Sequence, residues 1–166
     1  MIIDTEIGAP LGFDQTGELL QRGPQVMMGY LNNPQATAAS LDKDGWLHTG
    51  DITRVDEDNY FYIVDRLKEL IKCKSYQVAP AELEALLLTH SAVVDAAVVP
   101  KAGKKQGEVP KAFVVLKQEI SAEELIDWVG NQVAAYKRIQ EVVFIDQIPK
   151  SPSGKILRRV LRDREG

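Results

Sequence analysis

The fold is decided by residues 70–90, which read LIKCKSYQVAPAELEALLLTH. Leu70–Cys73 and Tyr76–Val78 are short β-prone runs separated by two residues, a pattern that predicts a β-hairpin. Pro80 stands where the first turn of a helix tolerates proline, and leucines recur behind it at helical spacing. The stretch therefore predicts a hairpin that leads directly into a helix.

The segments after residue 90 alternate between strands and helices. Ser121 and Glu124 form a capping box, followed by an apolar stripe at helical spacing. The full order is hairpin, helix, strand, strand, helix, strand, helix, which predicts the α+β class, a hairpin plus a three-stranded sheet with flanking helices. The elements expected here are the strands Val93–Val99, Lys111–Lys117 and Val142–Ile145, the loop Pro149–Gly154, and a basic helix from about Ile156 to Arg164.

Residues 1–65 have a different character, because their short apolar stretches are cut by turn signals. Few apolar positions repeat periodically, so this part is poorly placed to close a core by itself. We therefore expect a β-rich remnant in residues 1–65 and an α+β domain in residues 66–166. The predicted elements of the first part are the strand or near-strand segments Glu18–Gln21 and Gln25–Met28, the strands Gly45–Asp51 and Tyr60–Val64, and a short helix at Pro34–Ser40.

Composition limits the classes of function. A net charge of -4 over 166 residues argues against nucleic acid as the main partner, and no apolar run approaches the roughly 20 residues of a membrane span. The basic stretches Lys101–Lys111 and Lys150–Arg164 suit a small anionic ligand such as a nucleotide or coenzyme A, or are ordinary solvated charge. The single cysteine, Cys73, allows no intramolecular disulfide, and the N-terminus has no signal-peptide core, so we expect a cytoplasmic location.

Two segments carry candidate chemistry. Lys155 follows a Pro/Ser/Gly loop, from which its ammonium can meet phosphate or carboxylate oxygens as a point charge. The spacing of a P-loop is absent, and an ordinary exposed lysine is the alternative interpretation. Asp51 ends a predicted strand after Gly50, and Arg66 can offer a forked donor, so both can bind the hydroxyls of a sugar. A turn carboxylate and a surface ion pair are the alternatives there.

Four segments, in order, resemble motifs of the adenylate-forming superfamily, which holds acyl- and aryl-CoA ligases, luciferases and peptide-synthetase adenylation domains. Gly45–Asp51 resembles its Thr-Gly-Asp motif, and Asp65–Lys72 resembles its hinge motif. Gln77–Glu84 and Pro149–Arg158 resemble the branch of 4-coumarate–CoA ligases and luciferases. The likeness covers nearly the whole chain.

The resemblance implies roles in a first half-reaction that forms an acyl-adenylate. Asp51 and Arg66 would bind the ribose hydroxyls of ATP and acyl-AMP. Lys155 would contact the substrate carboxylate and the α-phosphate, where its charge offsets negative charge that develops in the transition state. After pyrophosphate leaves, the small domain would rotate at a hinge near Asp65 and Lys68.

The resemblance also implies roles in a second half-reaction that forms the thioester. The hairpin would replace the Lys155 loop, bringing Lys72 and Gln77 near the acyl-adenylate. Lys137 and Arg138, next to Tyr136, lie where the family often has basic residues near the phosphates of coenzyme A.

Two departures from the family pattern affect these expectations. Ser75 stands where the family usually has a glycine that permits positive φ or close backbone approach, so serine would strain the turn or narrow the path of pantetheine. The family's phosphate loop and the motif with its magnesium-associated glutamate occur nowhere in the sequence. We therefore expect no metal ligand in this chain and a separate N-terminal domain that supplies the magnesium site and the acyl pocket.

The hypothesis that follows is a C-terminal fragment of an acyl- or aryl-CoA ligase that uses ATP, coenzyme A and magnesium, and that is inactive alone. Its carboxylic acid substrate cannot be named from these residues. One alternative is a non-catalytic module that binds a nucleotide or coenzyme A, or that docks onto another chain. The other is a fragment of a luciferase-type oxidoreductase.

Overall fold

A computed structural model of the chain describes residues 1–103 and 107–163. The chain divides into two compact units, Met1–Lys68 and Glu69–Gly166. The boundary between the units lies after Lys68, whereas the sequence predicted a boundary after Asp65. Each unit has its own β-sheet.

The first unit is an antiparallel sheet of four strands in the order β1-β2-β3-β4, with one short helix. The predicted helix, and the strands near residues 18, 47 and 61, are confirmed. The short N-terminal strand β1 was not predicted, because two residues carry no periodicity. The elements are β1 (Ile2–Ile3), β2 (Thr16–Gln21), α1 (Pro34–Ser40), β3 (Leu47–Val55) and β4 (Phe61–Arg66).

Two predictions for this unit are wrong. Gln25–Met28 forms no strand, since the chain turns after Gly23 and the Met28 side chain is 98% exposed, so the segment has neither a strand partner nor a buried face. The strand with Asp51 does not end there but continues to Val55, because the bend at Gly50 is a bulge within β3.

The first unit buries few apolar side chains. They are Ile2, Ile3, Leu20 and Ile52, whereas Phe61 and Ile63 of β4 are more than half exposed. The buried apolar set of this unit is therefore small.

The second unit has the element order that the sequence predicts. Its hairpin and the other three strands form one sheet of five, in the order β6-β5-β8-β7, with β9 parallel to β8. The elements are β5 (Ile71–Cys73), β6 (Tyr76–Val78), α2 (Pro80–Leu88), β7 (Val93–Gly103), β8 (Gly107–Leu116), α3 (Ala122–Gly130), β9 (Glu141–Phe144) and α4 (Arg158–Arg162).

Alternation along the strands gives this sheet two apolar faces. Val98 and Val114 pack with leucines of α2 and α3 on one face. Val99 and Phe113 pack on the other face with Leu161 of α4. The sheet therefore separates α2 from the segment that contains Lys155 and α4.

The structure confirms the predicted start of α3 and corrects the predicted start of α4. The capping box is confirmed, since the Ser121 Oγ accepts the Glu124 N–H at 3.1 Å and the Glu124 carboxylate accepts the Ser121 N–H at 3.0 Å. The basic helix begins at Arg158 and not at Ile156, because Ile156 forms a β-bridge with Lys150. Its predicted end, Arg164, lies outside the described residues. Within the described part of the chain, no helix is long and apolar enough to cross a membrane.

Candidate functional site

Asp51 and Arg66 are brought together as cross-strand neighbours in β3 and β4. Arg66 Nε lies 2.9 Å from Asp51 Oδ1, and Arg66 Nη1 donates to the Thr49 carbonyl oxygen at 3.2 Å. The side chains are 26% and 55% exposed, so a ligand can reach both. The arrangement offers an acceptor and a forked donor side by side, which suits a pair of neighbouring hydroxyls.

A buried carboxylate, Glu18 on β2, holds the bulge that carries Asp51. One of its oxygens accepts the Gly50 N–H at 3.2 Å, and the other lies 3.1 Å from His48 Nδ1. Gly50 has φ +68°, which glycine adopts without strain. The Thr49 hydroxyl donates to the Leu19 carbonyl at 2.7 Å. Sequence reasoning missed Glu18, and its only local signal is a charge directly before the apolar pair Leu19 and Leu20.

Lys155 ends a tight turn that is closed by its own hydrogen bonds. The Ser151 N–H donates to the Lys155 carbonyl at 2.8 Å, and the Ser151 hydroxyl accepts the Lys155 N–H at 3.1 Å. Gly154 has φ +81°, which explains a glycine at this point. The Lys155 side chain is exposed, and its ammonium has no ion pair with any residue that the structure describes. The turn therefore presents a free cation.

Most of the other cations that the structure describes in the two basic stretches are held in ion pairs. Lys150 Nζ lies 2.6 Å from Asp95, and Arg158 Nη2 lies 2.8 Å from both oxygens of Glu84. Glu84, which the sequence did not single out, is buried against Arg158. No local signal identifies this pair, because its members lie 74 residues apart.

The two described lysines of the first basic stretch are likewise paired within the unit. Lys101 and Lys111 both bind the Glu141 carboxylate. Hydrogen bonds from these two lysines hold the pKa of Glu141 below its ordinary value of 4.5, and the bond from Lys101 has the largest effect. These two cations are therefore poor candidates for an anionic ligand. The remaining lysines and arginine of the two stretches at positions 104, 105 and 164 lie outside the described residues.

Lys72 and Gln77 are also brought together, as cross-strand partners in the β5–β6 hairpin with exposed side chains. The Lys72 N–H donates to the Glu108 carboxylate at 2.8 Å, which ties the hairpin to β8. The positive φ of the turn falls on Lys74, at +56°, and not on Ser75. The expectation that Ser75 strains the turn is thus corrected, because the strained residue is the lysine before it.

Tyr136, Lys137 and Arg138 follow α3 and have different environments. The Tyr136 ring stacks on Tyr76 with centroids 4.1 Å apart. The Lys137 ammonium lies 2.6 Å and 2.7 Å from the two oxygens of Glu82. Arg138 is exposed and has no ion pair within the described residues. Of these two cations, Arg138 is the one left available to an anion.

The residues predicted for the hinge lie where the first unit ends. Asp65 is buried in β4, where its carboxylate accepts the Arg66 N–H at 2.7 Å. Lys68 is exposed in a single 3-10 turn, Leu67–Glu69, and the division between the units follows it directly. Within the described residues, no group of three His, Cys, Asp or Glu side chains can hold a metal ion.

Comparison with known proteins identifies the family. Residues 82–155 match the AMP-binding enzyme C-terminal domain. Over 163 residues, 98% of the chain, the sequence is 56% identical to a 4-coumarate–CoA ligase of Pinus taeda, and it is 57% identical over 164 residues, 97% of the chain, to 4-coumarate–CoA ligase 1 of Glycine max. The chain spans 30% of the first relative and 56% of the second.

Solved structures agree with this identification. ATP-bound MatB from Rhodopseudomonas palustris superposes with a TM-score of 0.91 at 30% identity, covering 98% of this chain and 33% of that one. The o-succinylbenzoate CoA synthetase of Bacillus subtilis, bound to its acyl-adenylate, superposes with a TM-score of 0.85 at 37% identity, covering 98% and 34%. The chain therefore belongs to the adenylate-forming, AMP-binding enzymes, and it contains their C-terminal domain. Within that family, its sequence is similar to the 4-coumarate–CoA ligases.

Proposed function

We propose that the chain is the C-terminal part of an ATP-dependent acyl- or aryl-CoA ligase. The enzyme would join a carboxylate to coenzyme A through an acyl-adenylate, releasing pyrophosphate and then AMP. The observation that carries this proposal is the 56–57% identity to 4-coumarate–CoA ligases along 97–98% of the chain. The same relatives favour an aromatic acid as substrate.

The fold by itself leaves the acceptor of the acyl group open. An amide bond synthetase from Marinactinospora thermotolerans shares the fold at 32% identity and a TM-score of 0.88. The higher identity to ligases supports coenzyme A as the acceptor. Arg138, which has no ion pair with any described residue, offers a cation for one of its phosphates. We assign Lys137 a smaller part in that contact, because Glu82 already neutralises it.

In the adenylation half-reaction, Asp51 and Arg66 would bind the ribose hydroxyls. Arg66 fixes one oxygen of the Asp51 carboxylate at 2.9 Å, which leaves the second oxygen to accept from a hydroxyl. Lys155 would reach the substrate carboxylate and the α-phosphate. Its exposed ammonium is suited to stabilise charge that grows in the transition state, because its backbone is held in place before the substrate arrives.

In the thioester half-reaction, the β5–β6 hairpin would present Lys72 and Gln77 to the acyl-adenylate. The change from one half-reaction to the other would occur at Lys68, where the two compact units meet in the sequence. The magnesium site and the acyl pocket would belong to an N-terminal domain outside this chain. We place the enzyme in the cytoplasm, in keeping with its single, buried cysteine.

The two half-reactions test these roles separately in the full-length enzyme that contains this chain. ATP–pyrophosphate exchange measures adenylation, and CoA-dependent turnover of supplied acyl-adenylate measures the thioester step. Lys155→Ala should slow the first strongly and leave the second nearly intact, whereas Lys72→Ala should show the reverse pattern. Lys43→Ala, at an exposed lysine of the first unit, is the matched control and should change neither rate.

Two results would contradict the proposal. The first is an unmutated full-length enzyme with no ATP–pyrophosphate exchange for any aryl or fatty acid tested. The second is equal loss of both half-reactions in Lys155→Ala, which would refute the division of labour. The 166-residue chain alone should show no exchange, and exchange that disappears in its Lys155→Ala variant would mean that these residues suffice for adenylation.

A further inference from the structure

Glu84 is a buried charge in α2 whose partners come from two other elements. The Glu84 and Arg158 side chains are only 10% and 12% exposed, and both carboxylate oxygens lie 2.8 Å from Arg158 Nη2. Glu84 also accepts the Val98 N–H at 2.8 Å, and Arg158 Nε donates to the Val98 carbonyl at 3.3 Å. Each charge is thus matched by a charge and by a backbone group, as a buried ion pair requires.

These contacts close an exposed edge of the sheet. In the described part of the chain, β7 pairs with β8 alone, so its other edge has no neighbouring strand. The Val98 N–H and carbonyl are bound by Glu84 and Arg158 instead of by another strand. The side chains thereby join α2, on one face of the sheet, to the start of α4, on the other face.

Arg158 lies three residues after Lys155, at the first residue of α4. At the other end of the loop, the Lys150 ammonium binds Asp95, which is also in β7. Both ends of the Lys155 turn are therefore attached to the same strand. Between them, hydrogen bonds within the loop hold the backbone of Lys155, while its side chain is exposed.

We infer that Glu84 and Arg158 are positioning residues for adenylation, which set the place of Lys155 without touching the substrate. The inference rests on the proposed function, in which Lys155 acts in adenylation and the hairpin acts in thioester formation. An ion pair that served stability alone would support both half-reactions equally, because both use this unit. A positioning pair should affect the half-reaction that uses Lys155.

The test variant is the double substitution Glu84→Gln and Arg158→Met in the full-length enzyme. It removes both charges, so no unpaired charge stays buried, and the glutamine can still accept the Val98 N–H. We expect ATP–pyrophosphate exchange to fall by roughly 100-fold, the effect of a displacement of about 1 Å at a reacting group. Thioester formation from supplied acyl-adenylate should change by less than about threefold, within the modest effect expected of a distant site.

Two companion variants sharpen the comparison. Lys101→Met breaks an ion pair on the same strand, β7, away from the Lys155 loop, and should change neither half-reaction. Arg158→Lys keeps the charge but loses the forked donor, so its exchange rate should lie between that of the unmutated enzyme and that of the double variant.

Amide hydrogen exchange measures the displacement of the Lys155 loop without catalytic turnover. In the double variant, the amides of residues 154–157 should exchange faster, while those of the hairpin, residues 71–78, should be unchanged. The inference is overturned if adenylation keeps its rate, or if both half-reactions fall together and the hairpin amides also exchange faster. An unmutated enzyme without any exchange of pyrophosphate would refute the proposed function instead, and the amide rates of the loop would then decide the inference.

Discussion

The turn of the β5–β6 hairpin predicts opposite effects for two neighbouring substitutions. Lys74 has φ +56°, in the left-handed region, whereas Ser75 does not have positive φ. Glycine adopts the left-handed conformation without a steric penalty. We therefore expect Lys74→Gly to stabilise the second unit and Ser75→Gly to destabilise it, although Ser75 is where the family usually has glycine.

The magnitudes follow from two opposing terms. A side chain in the left-handed region costs about 1–2 kcal/mol, which Lys74→Gly would recover. Glycine also gains freedom in the unfolded chain, which costs about 0.4–1 kcal/mol at either position. The two terms at Lys74 leave a net gain of about 0–1.6 kcal/mol, so Lys74→Gly should raise the free energy of unfolding by about 0.8 kcal/mol. Ser75→Gly should lower it by about 0.4–1 kcal/mol.

Tryptophan fluorescence can follow the second unit alone. The chain has two tryptophans, Trp46 in the first unit and Trp128 in α3 of the second. In a Trp46→Phe background, urea unfolding monitored by Trp128 reports the unit that contains the hairpin, and the midpoint gives the change in stability at constant slope.

The sign of each shift decides the question. If Ser75→Gly raised the unfolding midpoint and Lys74→Gly lowered it, the positive φ would lie on Ser75, and the backbone assignment of the turn would be refuted. The same variants bear on catalysis, since Ser75→Gly should leave the CoA step unchanged or faster, and a marked slowing would show that the serine fits this hairpin.

The remaining predictions concern both units. In the full-length enzyme, Glu18→Leu should raise the KM for ATP by about tenfold, because the Gly50 N–H is left unpaired. This factor corresponds to the loss of one hydrogen bond to a charged group. An unchanged KM would show that Glu18 does not support the ribose site. The pKa of Glu141 is lowered by its two lysine partners, so its contribution to stability is present above about pH 4.5 and is lost as the pH falls through the lowered value. Glu141→Gln should make the urea midpoint fall less steeply as the pH is lowered, and an equally steep fall would contradict this assignment. Ser121→Ala should lower the stability of the second unit by about 1 kcal/mol in the Trp128 assay through loss of the N-cap, while Ser121→Asp should retain it.

Local patterns account for the parts of the molecule that sequence reasoning predicted. The hairpin, its following helix and the Ser121 capping box depend on residues within a few positions of one another. The Pro/Ser/Gly composition before Lys155 likewise produces a turn whose hydrogen bonds lie within residues 149–157. Such features are present in the sequence because the interacting groups are neighbours along the chain.

The wrong predictions arise where a segment depends on a partner elsewhere. Gln25–Met28 has the composition of a strand but no neighbouring strand, and a lone strand leaves its backbone groups unpaired. The strand with Asp51 continues beyond the bulge because β2 and β4 flank it on both sides. Neither the missing partner nor the available one can be read from the segment itself.

The sequence by itself determined the α+β class of the second unit, the family, and the identity of the exposed lysine that the loop presents. Only the tertiary structure decided which charges are available to a ligand. Glu84 meets Arg158 across 74 residues and Glu18 meets Gly50 across 32, so their burial and pairing depend on how the strands and helices assemble. How far a charge is available to a ligand depends on its exposure and on the partners that folding gives it, and these are set by long-range contacts and not by local composition.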